Sequence, residues 1–176
     1  MIWLARHGET AYNAERRFQG QGPVPLSERG REQAAELAEQ AAGREFAALW
    51  SSPLPRARET AEIVAGRLGL EITDEPRLME TDTGEWTDRT FAEIEAEFPE
   101  RFGAWVAGDP AFSFPGGESF AQQSERVNAA LSDIRAAGPL PALVVCHRNT
   151  IRLALEHAQG RRLSLDDVPN GSLVAL

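Results

Sequence analysis

Two short apolar segments that each end on a histidine constrain the fold of this chain most. Residues 2–5 are apolar and lead into Arg6 and His7, and Ala142–Cys146 leads directly into His147. Short apolar runs bounded by polar residues predict buried strands. If the two strands are parallel neighbours, their carboxyl ends lie at the edge of the sheet where open α/β proteins bind ligands. We therefore expect both histidines in one site.

A third strand end is predicted to add an arginine to this site. Residues 46–50 are predicted to form a strand, with Ser52 as the N-cap of the next helix, Pro53 as its first residue and Arg56 in its first turn. All 18 basic residues are arginine, although a genome-wide bias toward arginine codons is the simpler explanation. Guanidinium groups bind phosphate in a bidentate manner, so a cleft with Arg6, Arg56 and two histidines suits a phosphoryl group.

Strands and helices alternate along the rest of the chain. Start and stop signals around periodic apolar residues predict a last strand within residues 170–176 and helices over residues 27–43, 53–68, 118–137 and 149–159. Such alternation predicts βαβ units. We therefore expect one α/β domain, residues 1–176, folded as a three-layer α/β/α sandwich around a mostly parallel central sheet.

The segment 90–117 is the least regular part of the chain and is predicted to act as a lid. It contains a helical pattern followed by the Gly- and Pro-rich sequence DPAFSFPGG. Its aromatic residues could form a satellite core or the wall of a substrate pocket, and their helical spacing favours the core. These residues are Phe91, Phe98, Phe102, Trp105, Phe112 and Phe114.

The net charge of −9 argues against several classes of partner. A surface this acidic should repel nucleic acid and anionic lipid, so an anionic ligand would need a local positive cleft. The apolar runs are too short to cross a bilayer and no secretory segment is recognisable. We therefore expect a cytoplasmic protein without membrane or nucleic-acid partners. The sequence leaves open whether the chain forms a homodimer.

No metal ion or cofactor is expected from the sequence. Its one cysteine, Cys146, excludes an internal disulfide and a cysteine metal cluster, and should pack as a small apolar residue. The three histidines, His7, His147 and His157, are scattered, and no Gly-rich phosphate loop is present. His157 is expected on a helix surface. Neutral imidazole is a competent nucleophile near neutral pH when its other nitrogen is hydrogen-bonded, so we expect metal-independent chemistry.

Six motifs in a fixed order carry a resemblance to a known family. They are RHGET with Asn13, QG followed by PLSERG, SSPLPRARETA, LMETDTGEW, PGGES, and VVCHRNTIR with a late Asn170. Any one of them is a weak signal, but six in order at family spacing make chance agreement very improbable. The chain therefore resembles the histidine phosphatase superfamily, which has the phosphoglycerate mutase-like fold.

The resemblance implies a role for each matching residue. His7 would become the phosphohistidine, and Glu80 would donate a proton to the leaving ester oxygen. Without the resemblance, Glu80 could not be distinguished from Asp82 or Glu85. Burial of Glu80, or the negative charges of Asp82 and Glu85 near it, should favour its protonated form. The phosphoryl oxygens would be held by Arg6, Arg56 and His147, and the site would be lined by Asn13, Gln19, Gly20, Arg148 and Asn149.

Two residues depart from the family pattern. Arg148 stands where the family usually has glycine after the second histidine, and Asp88 stands where many members have glycine after the tryptophan. Arg148 could be a solvent-facing residue at the start of a helix or a contact to the substrate. The sequence does not decide between these two interpretations.

The expected function is a metal-independent phosphatase that transfers phosphate from a small phosphorylated metabolite to His7 and then to water. The first alternative is a cofactor-dependent phosphoglycerate mutase, which retains a phosphorylated histidine and a bound bisphosphate. Mutases of the family are longer and carry extra segments over the active site, so a length of 176 residues favours the phosphatase. The second alternative is a catalytically silent regulatory module that binds a phosphorylated ligand on the same fold.

Overall fold

The computed structural model describes residues 1–160 and 163–176. The strands in these ranges are β1 Ile2–Arg6, β2 Ala48–Ser51, β3 Ile72–Asp74, β4 Ala142–Cys146 and β5 Leu173–Ala175. They form one sheet in the order β3-β2-β4-β1-β5, in which β1 to β4 are parallel and β5 is antiparallel to β1. The predicted mostly parallel α/β sheet is confirmed, and the last strand of the chain covers the edge of β1.

Helices pack on both faces of this sheet, as predicted. The helices in the described residues are α1 Ala11–Ala14, α2 Glu28–Ala42, α3 Pro55–Leu68, α4 Phe91–Glu97, α5 Pro99–Val106, α6 Phe120–Ala137 and α7 Arg148–Gln159. Short 3₁₀ turns lie at Pro76–Leu78, Gly84–Trp86 and Leu165–Asp167. On one face α2 packs on α3, and on the other α6 packs on α7. None of the helices described in residues 1–160 and 163–176 is both long and apolar enough to cross a membrane.

The central strand β4 shows how the two faces of the core are formed. Its side chains alternate between the faces, as the period of two in a strand requires. Val144 and Cys146 share a cluster with residues of α6 and α7, whereas Leu143 and Val145 share one with α2 and α3. All four are fully buried, and burying a Val or Leu side chain stabilises a fold by about 1.5–3 kcal/mol. The predicted apolar packing of Cys146 is confirmed.

The start of α3 differs from the prediction. The helix begins at Pro55 with Leu54 as its N-cap, rather than at Pro53 with Ser52 as N-cap. Proline disfavours a helical conformation in the residue before it, so Pro55 keeps Leu54 extended at φ −64° and ψ 137°. The Ser52 hydroxyl instead accepts a hydrogen bond from the Leu54 amide at 3.3 Å. Arg56 keeps its predicted place in the first turn.

The segment 90–117 folds into α4, α5 and a turn-rich loop. Its helical pattern is interrupted at Phe98, which is exposed, because the following Pro99 disfavours a helical conformation there. The rest of the predicted satellite core is present, because aromatic residues of the segment pack with others from outside it. The buried members of this aromatic cluster are Phe18, Trp86, Ile94, Trp105, Phe112, Phe114 and Phe120.

Candidate active site

The carboxyl ends of β1 and β4 bring the two predicted histidines together. Arg6 pairs with Cys146 across the parallel strands, so the next residues, His7 and His147, leave the sheet side by side. Their ring centroids lie 5.1 Å apart, and both rings are buried. His157, the third histidine, is exposed on α7, as predicted.

The His7 ring is arranged to react through its Nε2 atom. Its Nδ1 lies 2.7 Å from the carbonyl oxygen of Gly8, which can only accept, so Nδ1 carries the proton and Nε2 keeps a free lone pair. Burial lowers the pKa of His7 well below its usual value of 6.5, and the cations of Arg56 and Arg6 lower it further. A neutral imidazole with one nitrogen held by a hydrogen bond is a competent nucleophile.

The loop after His7 is held by contacts that the sequence analysis did not identify. The Gly8 amide donates to the Thr60 hydroxyl at 3.1 Å, and that hydroxyl donates to the Arg56 carbonyl oxygen at 2.8 Å. A Cβ atom on Gly8 would lie 2.1 Å from the carbonyl oxygen of Gly30 in α2, so only glycine allows this approach. A threonine in the middle of a helix carries no sequence signal for such a role.

Arg6 and Arg56 supply buried positive charge beside the histidines. Arg6 donates to the Val168 carbonyl oxygen at 2.6 Å, and Arg56 donates to the carbonyl oxygens of Gly20 and Gly22 at 2.7 and 3.1 Å. Burial lowers the pKa of Arg6 to about 9 and that of Arg56 to about 10, so both stay charged near neutral pH. Within the described residues neither forms an ion pair, and the Nε of each is buried without a hydrogen-bond partner. An anionic ligand would compensate these buried donors.

His147 adds a further buried donor to this group. Its Nε2 lies 2.7 Å from the hydroxyl of Ser52, a residue that the sequence predicted only as a helix cap. Burial lowers the pKa of His147 well below 6.5, and Arg56 and His7 lower it further, so the ring is neutral. Its Nδ1 is buried and has no hydrogen-bond partner among the described residues. If the Ser52 hydroxyl donates to Nε2, then Nδ1 carries the proton and can donate to an anion.

Of the three acids that could not be distinguished without the family resemblance, Glu80, the one that the resemblance favoured, lies in the cleft. Glu80 is half-buried and lines the cleft with His7, whereas Asp82 and Glu85 are exposed and lie outside that lining. The environment of Glu80 thus differs from the expected acidic one. Its charge interacts with three arginines, which are Arg6, Arg56 and Arg148.

The Glu80 carboxylate is held in one orientation by neutral donors. Its Oε1 accepts from the Thr81 amide at 2.9 Å and from Nε2 of Gln123 at 3.1 Å. Its Oε2 accepts from the Asn149 amide, in the first turn of α7, at 3.2 Å. Arg126 of α6 donates to the Glu80 carbonyl oxygen at 3.0 Å and so holds the backbone as well. Neither Gln123 nor Arg126 was identified from the sequence.

Arg148 lies in the cleft rather than on the outer surface. The residue is half-buried, lines the cleft, and holds its guanidinium carbon 5.9 Å from the centroid of the Trp105 ring. The solvent-facing interpretation is therefore wrong. The side-chain nitrogen of the next residue, Asn149, donates to the Thr81 hydroxyl at 2.9 Å and to Oε1 of Gln123 at 2.8 Å. The side-chain amide of Asn149, which was predicted to contact substrate, is thus already hydrogen-bonded to other residues of the chain.

The predicted loop residues line the cleft and are tied to one another. Oδ1 of Asn13 accepts from the Thr10 amide at 3.1 Å and from Nδ2 of Asn170 at 3.3 Å. Oε1 of Gln19 accepts from the Thr10 hydroxyl at 2.7 Å. Gly20 has φ 51°, and a Cβ atom there would lie 2.4 Å from a threonine hydroxyl, so glycine is required. Asn13, Gln19 and Gly20 all belong to the cleft lining.

Asp88, the second departure from the family pattern, has φ 69°. This left-handed conformation favours glycine, which gives a physical reason for the glycine found there in many relatives. Hydrogen bonds hold the aspartate in place here, and one of them runs from its amide to the Phe18 carbonyl oxygen at 3.0 Å. Its carboxylate accepts from the Tyr12 hydroxyl at 2.8 Å, and its carbonyl oxygen accepts from the Arg17 guanidinium.

The cleft as a whole has a volume of about 930 Å³ and two chemically different regions. Its inner end carries His7, Arg6, Arg56 and Glu80. An aromatic wall from the segment 90–117 adds Phe91, Phe102, Trp105 and Phe114, so these side chains serve both as core and as pocket wall. In residues 1–160 and 163–176, no three His, Cys, Asp or Glu side chains cluster closely enough to hold a metal ion.

The site lies at the carboxyl edge of a mostly parallel sheet and contains two buried histidines and two buried arginines. The protein is therefore an α/β protein with a candidate anion site made of imidazole and guanidinium groups. Residues 2–176 match the model of the histidine phosphatase superfamily, branch 1. The chain belongs to this superfamily, which confirms the resemblance deduced from the six motifs.

Solved structures and a curated relative agree with this assignment. The chain superposes with a TM-score of 0.89 at 31% identity on a mycobacterial glucosyl-3-phosphoglycerate phosphatase complexed with VO3, covering 98% of this chain and 88% of that one. YhfR of Bacillus stearothermophilus gives a TM-score of 0.87 at 32% identity, over 98% of this chain and 88% of its own. The relative named "Probable phosphoglycerate mutase GpmB" from Salmonella choleraesuis is 40% identical over 131 residues, which is 74% of this chain. The match spans only 61% of that relative's length.

Proposed function

We propose that this protein is a metal-independent phosphatase that hydrolyses small phosphorylated metabolites through a phosphohistidine at His7. One observation carries the proposal: the Nε2 lone pair of His7 is free beside the buried donors of Arg6, Arg56 and His147, which have no partner at Nε or Nδ1 within the described residues. A phosphoryl dianion would satisfy these donors and meet Nε2 as its nucleophile.

The reaction would proceed in two transfers. In the first, the Nε2 lone pair of His7 forms the N–P bond while the P–O bond to the alcohol breaks, and Glu80 gives its proton to the departing oxygen. In the second, a water oxygen bonds to phosphorus, the N–P bond breaks, and Glu80 takes a proton from that water. Arg6 and Arg56 keep their charge throughout and stabilise the phosphoryl oxygens in the loose transition state.

Hydrolysis rather than mutase chemistry is supported by a solved structure of a phosphatase. The glucosyl-3-phosphoglycerate phosphatase superposes on 98% of the residues of this chain with a TM-score of 0.89. The relatives named as probable phosphoglycerate mutases are the reason for testing isomerisation as well. A silent binding module is disfavoured because an anion site alone would need neither a free nucleophilic lone pair on His7 nor an acid at Glu80 beside it.

The substrate class follows from the residues beyond the phosphoryl site. The guanidinium of Arg148 lies near Trp105 and has no ion-pair partner in the described part of the chain, so it is available to a second anionic group of the substrate, such as a carboxylate. The aromatic wall next to it suits an apolar or sugar face. We therefore include Arg148 among the substrate-binding residues, together with Asn13, Gln19 and Gly20.

The proposal is tested by trapping the intermediate. Rapid quench with alkaline detergent during turnover of a labelled phosphoester should leave label on the protein, and this label should be stable in base and lost in acid. His7→Ala should remove both label and turnover, whereas His157→Ala, a change of an exposed histidine on α7, should keep them. Wild-type turnover by His7→Ala would show that the nucleophile is wrong and that water attacks directly.

A screen of phosphorylated metabolites for phosphate release would then separate the three candidate functions. 3-Phosphoglycerate should be tested for both isomerisation and hydrolysis. Isomerisation without phosphate release would identify a mutase, and binding without turnover of any compound would identify a silent module.

A further inference from the structure

A buried polar cluster lies behind Glu80, and the reaction described above does not use it. It joins the start of α6, the loop after Glu80 and the start of α7. Its members are Thr81, Gln123, Asn149, Thr150 and Arg152, all of which are buried. The cluster contacts Glu80 directly through Gln123, Thr81 and Asn149.

Gln123 occupies a position where the helix pattern calls for an apolar residue. The buried face of α6 is otherwise formed by residues such as Phe120, Val127, Leu131 and Ile134. Gln123 lies on this same face and is 0% exposed. A primary amide buried in such a place is unfavourable unless all its polar atoms are hydrogen-bonded, so its partners indicate why it is there.

Both ends of the Gln123 amide have partners that define its orientation. Nε2 donates to Oε1 of Glu80 at 3.1 Å and to the Thr150 hydroxyl at 3.3 Å. Oε1 accepts from Nδ2 of Asn149 at 2.8 Å and from the Thr81 hydroxyl. Exchanging the nitrogen and oxygen of Gln123 would set its NH₂ against the NH₂ of Asn149, so the donor must face Glu80.

The two carboxylate oxygens of Glu80 accept different numbers of hydrogen bonds. Oε1 accepts from the Thr81 amide at 2.9 Å and from Gln123 at 3.1 Å, and the Thr81 hydroxyl lies 3.4 Å from it, so neither of its lone pairs is left for a proton. Oε2 accepts from the Asn149 amide at 3.2 Å, and within the described residues this leaves one lone pair free. A proton on Glu80 therefore belongs on Oε2.

We propose that Gln123 is a positioning residue for the proton donor: it occupies Oε1 of Glu80 and so directs the transferable proton to Oε2. The inference rests on the proposed function, in which Glu80 is the acid. During phosphorylation of His7, the Oε2–H bond breaks and the proton passes to the ester oxygen as the P–O bond breaks. During hydrolysis, the attacking water returns a proton to Oε2. Without the Gln123 donor, the carboxyl group can rotate and carry its proton on the wrong oxygen.

A double-mutant cycle tests this inference. Gln123→Met, which keeps an unbranched side chain but cannot donate, is combined with Glu80→Gln, and the phosphoenzyme-forming rate is measured by quench on an alkyl phosphate and on p-nitrophenyl phosphate. Gln123→Met alone should lower the alkyl rate by roughly 10- to 100-fold and the aryl rate much less, because only the alkoxide needs the proton. In the Glu80→Gln background, Gln123→Met should lower the alkyl rate by no more than about twofold.

The control is Val127→Ala, which shortens a buried side chain about one turn further along α6. Thermal melts verify folding of every variant, and if Gln123→Met does not fold, Gln123→Leu, which also cannot donate a hydrogen bond, replaces it. The role of Gln123 would be refuted if Gln123→Met lowered the phosphoenzyme-forming rate equally on both esters. It would also be refuted if the rate loss of the double variant on the alkyl ester equalled the product of the losses of the two single variants. If Glu80→Gln itself shows no dependence on the leaving group, the assignment of Glu80 fails first, and the inference fails with it.

Discussion

Replacing Glu80 by glutamine is the substitution that most sharply separates the chemistry of this site from its stability. The glutamine oxygen should take the place of Oε1, because that position accepts from Thr81 and Gln123. The new NH₂ group then faces the Asn149 amide, a donor, so one hydrogen bond is lost. This hydrogen bond ends on a charged carboxylate, so its loss costs about 1.5–3 kcal/mol of the free energy of unfolding.

The expected loss of catalysis is larger than this loss of stability, and only the loss of catalysis depends on the leaving group. A general acid contributes about 10²- to 10⁴-fold, which at about 1.36 kcal/mol per tenfold is a barrier increase of roughly 2.7–5.4 kcal/mol. We expect this loss on alkyl phosphates, whose alkoxide leaves poorly, and a much smaller one on p-nitrophenyl phosphate. Inhibition by inorganic phosphate should be at least as strong as in the wild type, because the variant removes a negative charge that interacts with Arg6, Arg56 and Arg148.

The assay should isolate the phosphoenzyme-forming step by stopped-flow or quench, because hydrolysis of phosphohistidine is common to all substrates and could mask the difference in kcat. Urea unfolding of the same samples gives the stability change. Equal losses on both esters would mean that Glu80 orients the site without donating a proton, and the donor would then have to be sought at Asp82 or Glu85.

Three further predictions concern metal independence, pH and substrate choice. EDTA should leave activity intact, and a loss that one particular divalent ion restores would contradict the arginine-based mechanism. Burial keeps the pKa values of His7 and His147 well below 6.5, so the unfolded chain binds more protons than the folded one below that pH. The free energy of unfolding should therefore fall from pH 6.5 toward pH 5, by up to about 2.7 kcal/mol per pH unit for the two histidines together. Urea titrations that give the same free energy at both pH values would show that the two imidazoles are not buried in the neutral form. Arg148→Gly should raise KM roughly tenfold or more for substrates with a second anionic group, and less for p-nitrophenyl phosphate. Equal increases in KM would indicate that Arg148 has a structural role or contacts the phosphoryl group itself.

Local signals in the sequence were sufficient for most of the secondary structure. Ser27 and Gly43 cap α2 at the predicted positions. Such caps can be predicted because they act within one helical turn: the Ser27 hydroxyl accepts a hydrogen bond from the Gly30 amide, three residues further on. The prediction for α3 was wrong by two residues, because two prolines lie near its start and either could have been the first helical residue. The position of His7 and His147 at the same edge of the sheet could also be predicted, because alternating strands and helices imply that the strands are parallel.

The α/β fold and a candidate site with two histidines, two arginines and a nearby glutamate could be predicted from the amino-acid sequence, because short-range periodicity and ordered motifs carry this information. The resemblance already favoured Glu80, but its position in the cleft, with Asp82 and Glu85 outside, follows only from the folded chain. The contacts that decide it join residues far apart in the chain: Gln123 lies 43 residues from Glu80, and Asn149 lies 69 residues from it. Such hydrogen bonds form only after α6 and α7 have packed on the sheet, and no local pattern of residues encodes their geometry.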